Sequence, residues 1–310
     1  MLRLSPRSAR ALATAAGCLV AAPAAAQAPA AAPTVVERPS SAQRTLSAPV
    51  AYVGLNVWVG AASAAVRAQR RGGSVWRAAL AGAAGGAAMA LGQRVVGAGP
   101  SGLRVAGVQL TALGANVARN AGDGVPILSD LTLPLYPLYV RVRAGTPHPV
   151  SVRLSAVAAV GVVAAVARPG AARLDPGESL RMGGPVFRSP ASSLEGAGDG
   201  ACVEHACTMG LHLNGVVMYA DGLGAAGQRR STLRHEAVHL TQFARDGVLF
   251  GVPGSDGILA HGGRAGRWAS RWLVADLALP ILATDVVSEL ASADPARASL
   301  YELEARAMMR

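Results

Sequence analysis

Between Arg77 and Arg94 the chain runs for 16 residues without a charge, and glycines stand at 82 and 86 among alanines. This small-x-x-x-small spacing lets a helix meet its neighbour backbone to backbone, because almost no side chain separates the two axes. The same character holds over 51–122, where three apolar, small-residue-rich segments are split by Gly-rich breaks, each long enough for a helix. Alanine and glycine supply much of the apolarity, and aromatics are only 4% of residues, so the core is expected to be lean in large side chains. The uncharged window is shorter than the roughly 20 residues a bilayer span needs. Two outcomes follow for 51–122: a tightly packed helical subdomain, or membrane association through these helices.

The formal charge of +11 comes entirely from arginine, since there is no lysine. These arginines are scattered, with no run denser than Gln-Arg-Arg and no interleaved aromatics, so a nucleic-acid partner is not expected. Residues 1–26 read as a secretory signal peptide: Arg3, Arg7 and Arg10 precede an apolar run and small residues in Ala-x-Ala register. An exported protein of the periplasm or cell envelope is therefore expected, with acylation of Cys18 as the lipoprotein alternative. Residues 27–49, rich in Pro, Ala and Ser, form a linker. In an oxidising compartment Cys202 and Cys207 suit a small disulfide loop, and a metal knuckle through His205 is the sharper alternative.

Residues 126–200 read as a β-rich region. "LYVRVRA" alternates, the Val-rich "PVSVRLSAVAAVGVVAAVARPG" has period-two stretches, and "DPGES" is a turn before "LRMGGPVF". Residues 211–222 alternate like one further strand, in the place where an edge strand pairs with an extended substrate. "RWASRWLVADLALPILATDVVSELA" reads as an amphipathic helix broken at Pro280, with Trp268 and Trp272 one turn apart in the core or at a membrane interface.

The chemistry lies in "STLRHEAVHLTQFARDG". Ser231 or Thr232 caps a predicted helix that Gly247 ends. On it His235 and His239 stand at i and i+4, so both imidazoles reach one metal ion, here Zn2+. Glu236 is placed to take a proton from a water on that metal as general base. Leu233, Val238, Leu240 and Phe243 imply a largely buried helix, in which two histidines need partners. Zinc needs a third protein ligand. Gln242 and Arg245 stand where the metzincin pattern needs Gly and His, so the C-terminal carboxylates Asp276, Asp285, Glu289, Asp294, Glu302 and Glu304 are the candidates. Glu302 also fits a capping box with Ser299. Tyr219 and Tyr301 are candidate donors to an oxyanion, and His148, His205, His212 and His261 are read as non-ligands.

"RHEAVHLTQ", followed by "ASLYELEARAM", resembles the gluzincin arrangement of zinc metallopeptidases, in which His-Glu-x-x-His on one helix is completed by a Glu on a second. Locally the second motif is similar to that of membrane-associated endopeptidases of the CAAX-protease kind, with Arg306 standing where that pattern has Asp. The resemblance implies His235, His239 and Glu302 as metal ligands, Glu236 as base, and a peptide or protein substrate. The expected fold is α+β: a Gly/Ala-rich helical region over 50–125, the β-rich middle over 126–200, and a zincin-like domain with its active-site helix over 201–310. The expected function is zinc-dependent peptide hydrolysis. A non-catalytic envelope protein with a zincin-like fold is the alternative.

Overall fold

The computed structural model describes residues 49–167, 172–190, 210–213, 215–221, 226–251, 259, 261–274, 304–305 and 307–309. The signal peptide with Cys18, Cys202, His205, Cys207, Ser299, Tyr301, Glu302 and the acidic residues 276–294 lie outside the described residues.

Three helices open the described chain: α1 (Pro49–Arg70), α2 (Val75–Ala98) and α3 (Arg104–Asp123). Helix α2 packs extensively on both others. The glycines explain how. A Cβ at Gly60 would strike the Gly82 carbonyl, and one at Gly86 the Asn56 carbonyl, so α1 and α2 touch through their backbones. Gly85 and Gly114 meet in the same reciprocal way on the α2–α3 seam, as do Gly92 and Gly107. The small-residue spacing thus serves helix packing, and Ala64, Ala90, Ala112 and Ala115 fill the remaining seams. The helix long and apolar enough for a membrane span is α1, not the 78–93 window; it is the single such helix among the described residues.

Helix α3 stops at Gly124, whose φ of 69° closes the left-handed C-terminal turn. The chain then forms β1 (Asp130–Leu135), β2 (Leu138–Arg143) and β3 (Val150–Ser155), strands as the alternation predicts, paired as an antiparallel meander. Polar groups dock it on α3. Asn116 gives and takes hydrogen bonds at both backbone groups of Thr132, each 2.8 Å, as a strand would. Arg119, buried, reaches Thr132 Oγ1 at 3.0 Å and Asp130 at 3.2 Å. Burial pulls the Arg119 guanidinium down to about 10, against the opposing pull of Asp130. Burial raises the Asp130 carboxyl, but the Arg141 hydrogen bonds and the charges of Arg119, Arg141 and Arg143 outweigh it and hold it below the ordinary carboxylate range. A depressed folded value contributes stability above the unfolded pKa of about 3.9, and that contribution is lost as pH falls through the folded value. Stability is therefore expected to drop on acidification below about pH 4, and Asp130→Asn, less stable at neutral pH, should show a flatter acid limb in thermal melts.

The Val-rich run departs from expectation. After β3, residues Ala156–Ala167 are helix α4. Ser155 Oγ accepts the Ala158 N–H at 3.0 Å, an N-cap that ends the strand, and the alanines beyond it favour helix. "DPGES" is also more than a turn: Asp175 accepts the Glu178 N–H and caps α5 (Pro176–Met182), with Pro at the first position. A second sheet has the order β4 (Arg173–Leu174), β5 (Val186–Pro190), β7 (Val216–Asp221), β6 (Gly210–Leu213). The strand expected over 211–222 is thus a hairpin, turned at Gly215 with φ 89°. Among the described strands β6 lies at the end of this sheet and β7 inside it.

The motif helix, α6 (Ala226–Asp246), starts before Ser231, so Ser231 and Thr232 lie within it and do not cap it. It passes at Gly247 into a π turn, Gly247–Gly251. Its Leu233, Ala237, Leu240 and Ala244 share one core with Tyr52, Val96, Val108, Tyr139, Val217 and Met308, so the glycine-rich helices and the C-terminal segment pack on it. Of the amphipathic helix expected over 267–291, only residues 267–274 are described, and these are helical only as far as Ala269. Helix α7 (Gly263–Ala269) ends early, and β8 (Leu273–Val274) pairs in parallel with β3. Trp268 and Trp272 are exposed, not core, because Leu273 and Val274 continue the sheet in place of a helix turn.

Candidate functional site

Helix periodicity brings His235, His239 and Gln242 to one side of α6, next to its core face. The Nε2 atoms of His235 and His239 are 3.2 Å apart, with the rings at 86° and their centroids 4.8 Å apart. A tetrahedral ion with metal–nitrogen bonds of about 2.0–2.1 Å holds two ligand nitrogens about 3.3 Å apart. The described donors therefore have the spacing of one edge of such a site.

A chain of buried hydrogen bonds sets which nitrogen of His239 carries the proton. Glu304 accepts from Arg245 Nη1 at 2.8 Å and from Asn56 Nδ2 at 2.9 Å on one oxygen. Its other oxygen accepts from Gln242 Nε2 at 2.9 Å. A carboxylate facing donors fixes the Gln242 amide with its oxygen toward His239, and that oxygen lies 2.7 Å from Nδ1. The assignment that follows is Nδ1–H donating to Gln242, with a lone pair on Nε2 turned to His235. Imidazoles that ligate metals are oriented in this manner by the group behind them.

Asn56 comes from α1 and Gln93, 2.9 Å from it, from α2. The glycine seam between these helices places both amides against the motif helix. Arg245 also donates to the Asn56 amide oxygen at 3.1 Å and to Asp246 at 2.9 Å. Glu304, considered beside Glu302 as a third ligand, instead has both oxygens engaged by Asn56, Arg245 and Gln242. It is a support of the site. Among the described residues no third His, Cys, Asp or Glu joins the histidine pair. Glu236 is 3% exposed and His239 8%, while His235 is partly exposed, so the helix is largely buried at the motif, as its apolar neighbours imply.

Tyr219 does not face the histidines as a donor. Its hydroxyl donates to Asp175 at 2.8 Å, with the Arg229 guanidinium 5.1 Å over its ring. Burial first, and then the Asp175 carboxylate, push this phenol well above its usual range. His148 lies in an exposed bend, and His261 is an exposed helical residue just before the turn that leads into α7.

Gln242, Arg245, Asn56 and Gln93 are the residues to which motif spacing assigns no role, and Glu304 is a candidate whose contacts differ from the expected ones. The available signal was Gln242 and Arg245, three and six positions after His239 on a buried helix, where long polar side chains need partners. Comparison with protein-family models, curated proteins and solved structures gives no match to the chain.

Proposed function

We propose that the chain is a zinc-dependent hydrolase of peptide bonds, with His235, His239 and Glu302 holding the ion and Glu236 as general base. The observation that carries this reading is the 3.2 Å separation of the two Nε2 atoms, with His239 Nδ1 tied back to Gln242. Zinc, when bound in such a site, acidifies a water and polarises a carbonyl. Glu236, next to His235 in the chain, takes the proton of the attacking water on a carboxylate oxygen and returns it to the departing amine nitrogen. Gln242 keeps the proton of His239 on Nδ1. Strand β6, which among the described residues has a strand partner on one side only, offers its main chain to an extended peptide.

Glu236→Gln keeps the shape of the site and removes the base. Hydrolysis of a mixed peptide library should fall by about 10²–10⁴-fold while bound zinc is unchanged. Equal cleavage by the two proteins would overturn the role of Glu236. The low exposure of Glu236 favours one second reading, a non-catalytic envelope protein built on the same helix. That reading predicts no Glu236-dependent cleavage of any peptide.

A further inference from the structure

Helix α1 has two unlike faces. Tyr52, Asn56, Gly60, Ala64 and Ala68 recur every four residues and are buried. The opposite face presents Val50, Val53, Trp58 and Val66 to solvent, with Val50 80% and Trp58 67% exposed. Helix α2 presents Trp76, Leu80 and Leu91 in a similar stripe, Trp76 at 72%. No charged residue stands between Pro49 and Val66 or between Ala78 and Gln93. Soluble helices at a surface carry charges on the outward face, and exposed large apolar side chains grouped on uncharged helix faces mark an interaction site. Phe250 of the π turn adds to it, lining with Trp58 and Val66 a groove of about 570 Å³.

The charges around this face select its occupant. Arg67, Arg70, Arg71 and Arg77 cluster at the turn between α1 and α2. Arg67 and Arg71 share Asp123, at 3.6 and 3.4 Å. Arg70 and Arg77 are exposed, and no carboxylate among the described residues pairs with them. Apolar side chains flanked by tryptophans and unpaired arginines match the boundary between acyl chains and anionic headgroups. Helix α1 is long and apolar enough to cross a bilayer, yet its inner face is occupied by α2, so the geometry suits lying in the interface, not spanning it.

We propose that the outward face of α1 and α2 docks the protein on an anionic lipid bilayer. The full chain should float with vesicles of phosphatidylcholine containing phosphatidylglycerol, less with phosphatidylcholine alone, and less again in high salt, which screens the arginines. Trp58→Glu with Val66→Glu should lower anionic-vesicle binding by about tenfold or more, because the charges must enter the acyl boundary. Leu180→Glu, at an exposed apolar position on α5, should leave binding unchanged. If the double variant fails to fold, Arg70→Gln with Arg77→Gln decides: binding to anionic vesicles should drop about tenfold, with far-UV circular dichroism unchanged. Wild-type protein that stays unbound overturns the proposal. So does undiminished flotation of a folded variant, which would place binding elsewhere in the chain. A wild-type dimer that Trp58→Glu with Val66→Glu converts to monomer would instead assign the face to a second copy.

Discussion

Gly86→Leu should abolish cooperative unfolding of the protein. A Cβ at this position meets the Asn56 carbonyl and the Val57 Cα, both backbone atoms of α1, which cannot turn aside as a side-chain tip could. The leucine must push α1 off α2. Overpacking a rigid site costs about 1–3 kcal/mol and occasionally more, and here a whole helix seam parts, which approaches the roughly 5–15 kcal/mol that stabilises a domain. Gly54 faces α1's open side with nothing within 4 Å, so Gly54→Ala should be neutral or stabilising by about 0.5–1 kcal/mol. Denaturant melts followed by circular dichroism compare the two. A Gly86→Leu protein that melts like wild type would show that the helices do not meet as described.

Removing one partner of the buried Arg245–Glu304 pair should cost about 3–5 kcal/mol, since the side chains are 7% and 3% exposed and the remaining charge keeps few partners. Arg245→Leu leaves Glu304 with amide donors alone. Glu304→Leu leaves Arg245 with Asp246 and the Asn56 amide oxygen, and removes the carboxylate that accepts from the Gln242 amide. The double variant should regain part of the loss, because neither charge is then stranded by the other, and a double-mutant cycle reads this directly. Metal binding should follow a different rule. Any protein lacking Glu304 has lost the group that orients Gln242 and, through it, His239, so zinc affinity should fall about 10–100-fold in both the single and the double variant. Recovery of zinc affinity together with stability would mean that the network supports the fold and not the metal site.

Much of the helical architecture was legible because the pattern and the packing share one cause. Gly82 and Gly86 announce close approach, and the structure uses them for it. The His-Glu-x-x-His spacing likewise places both histidines on one helix side, since i and i+4 are neighbours wherever a helix forms. Residues 156–167 form a helix against the strand expectation because valines favour strands while alanines and a capping Ser155 favour helix, and period alone does not separate the two in a short apolar run. The turn at Gly215 was hidden because both strands of its hairpin alternate in register. Least legible was the support behind His239. Gln242 and Glu304 are 62 positions apart, and Arg245 and Asn56 are 189 apart, so no local period connects them. Their meeting depends on the glycine seam that lets α1 and α2 present Asn56 and Gln93 to the motif helix.

The decisive measurement is zinc bound per chain, by elemental analysis after equilibration with zinc and removal of excess, for the wild type and His239→Ala. The arrangement of His235 and His239 predicts about one zinc per wild-type chain and loss of it in a folded His239→Ala protein. A folded wild-type protein without stoichiometric zinc, or a His239→Ala variant that keeps it, would contradict a metal site on this helix.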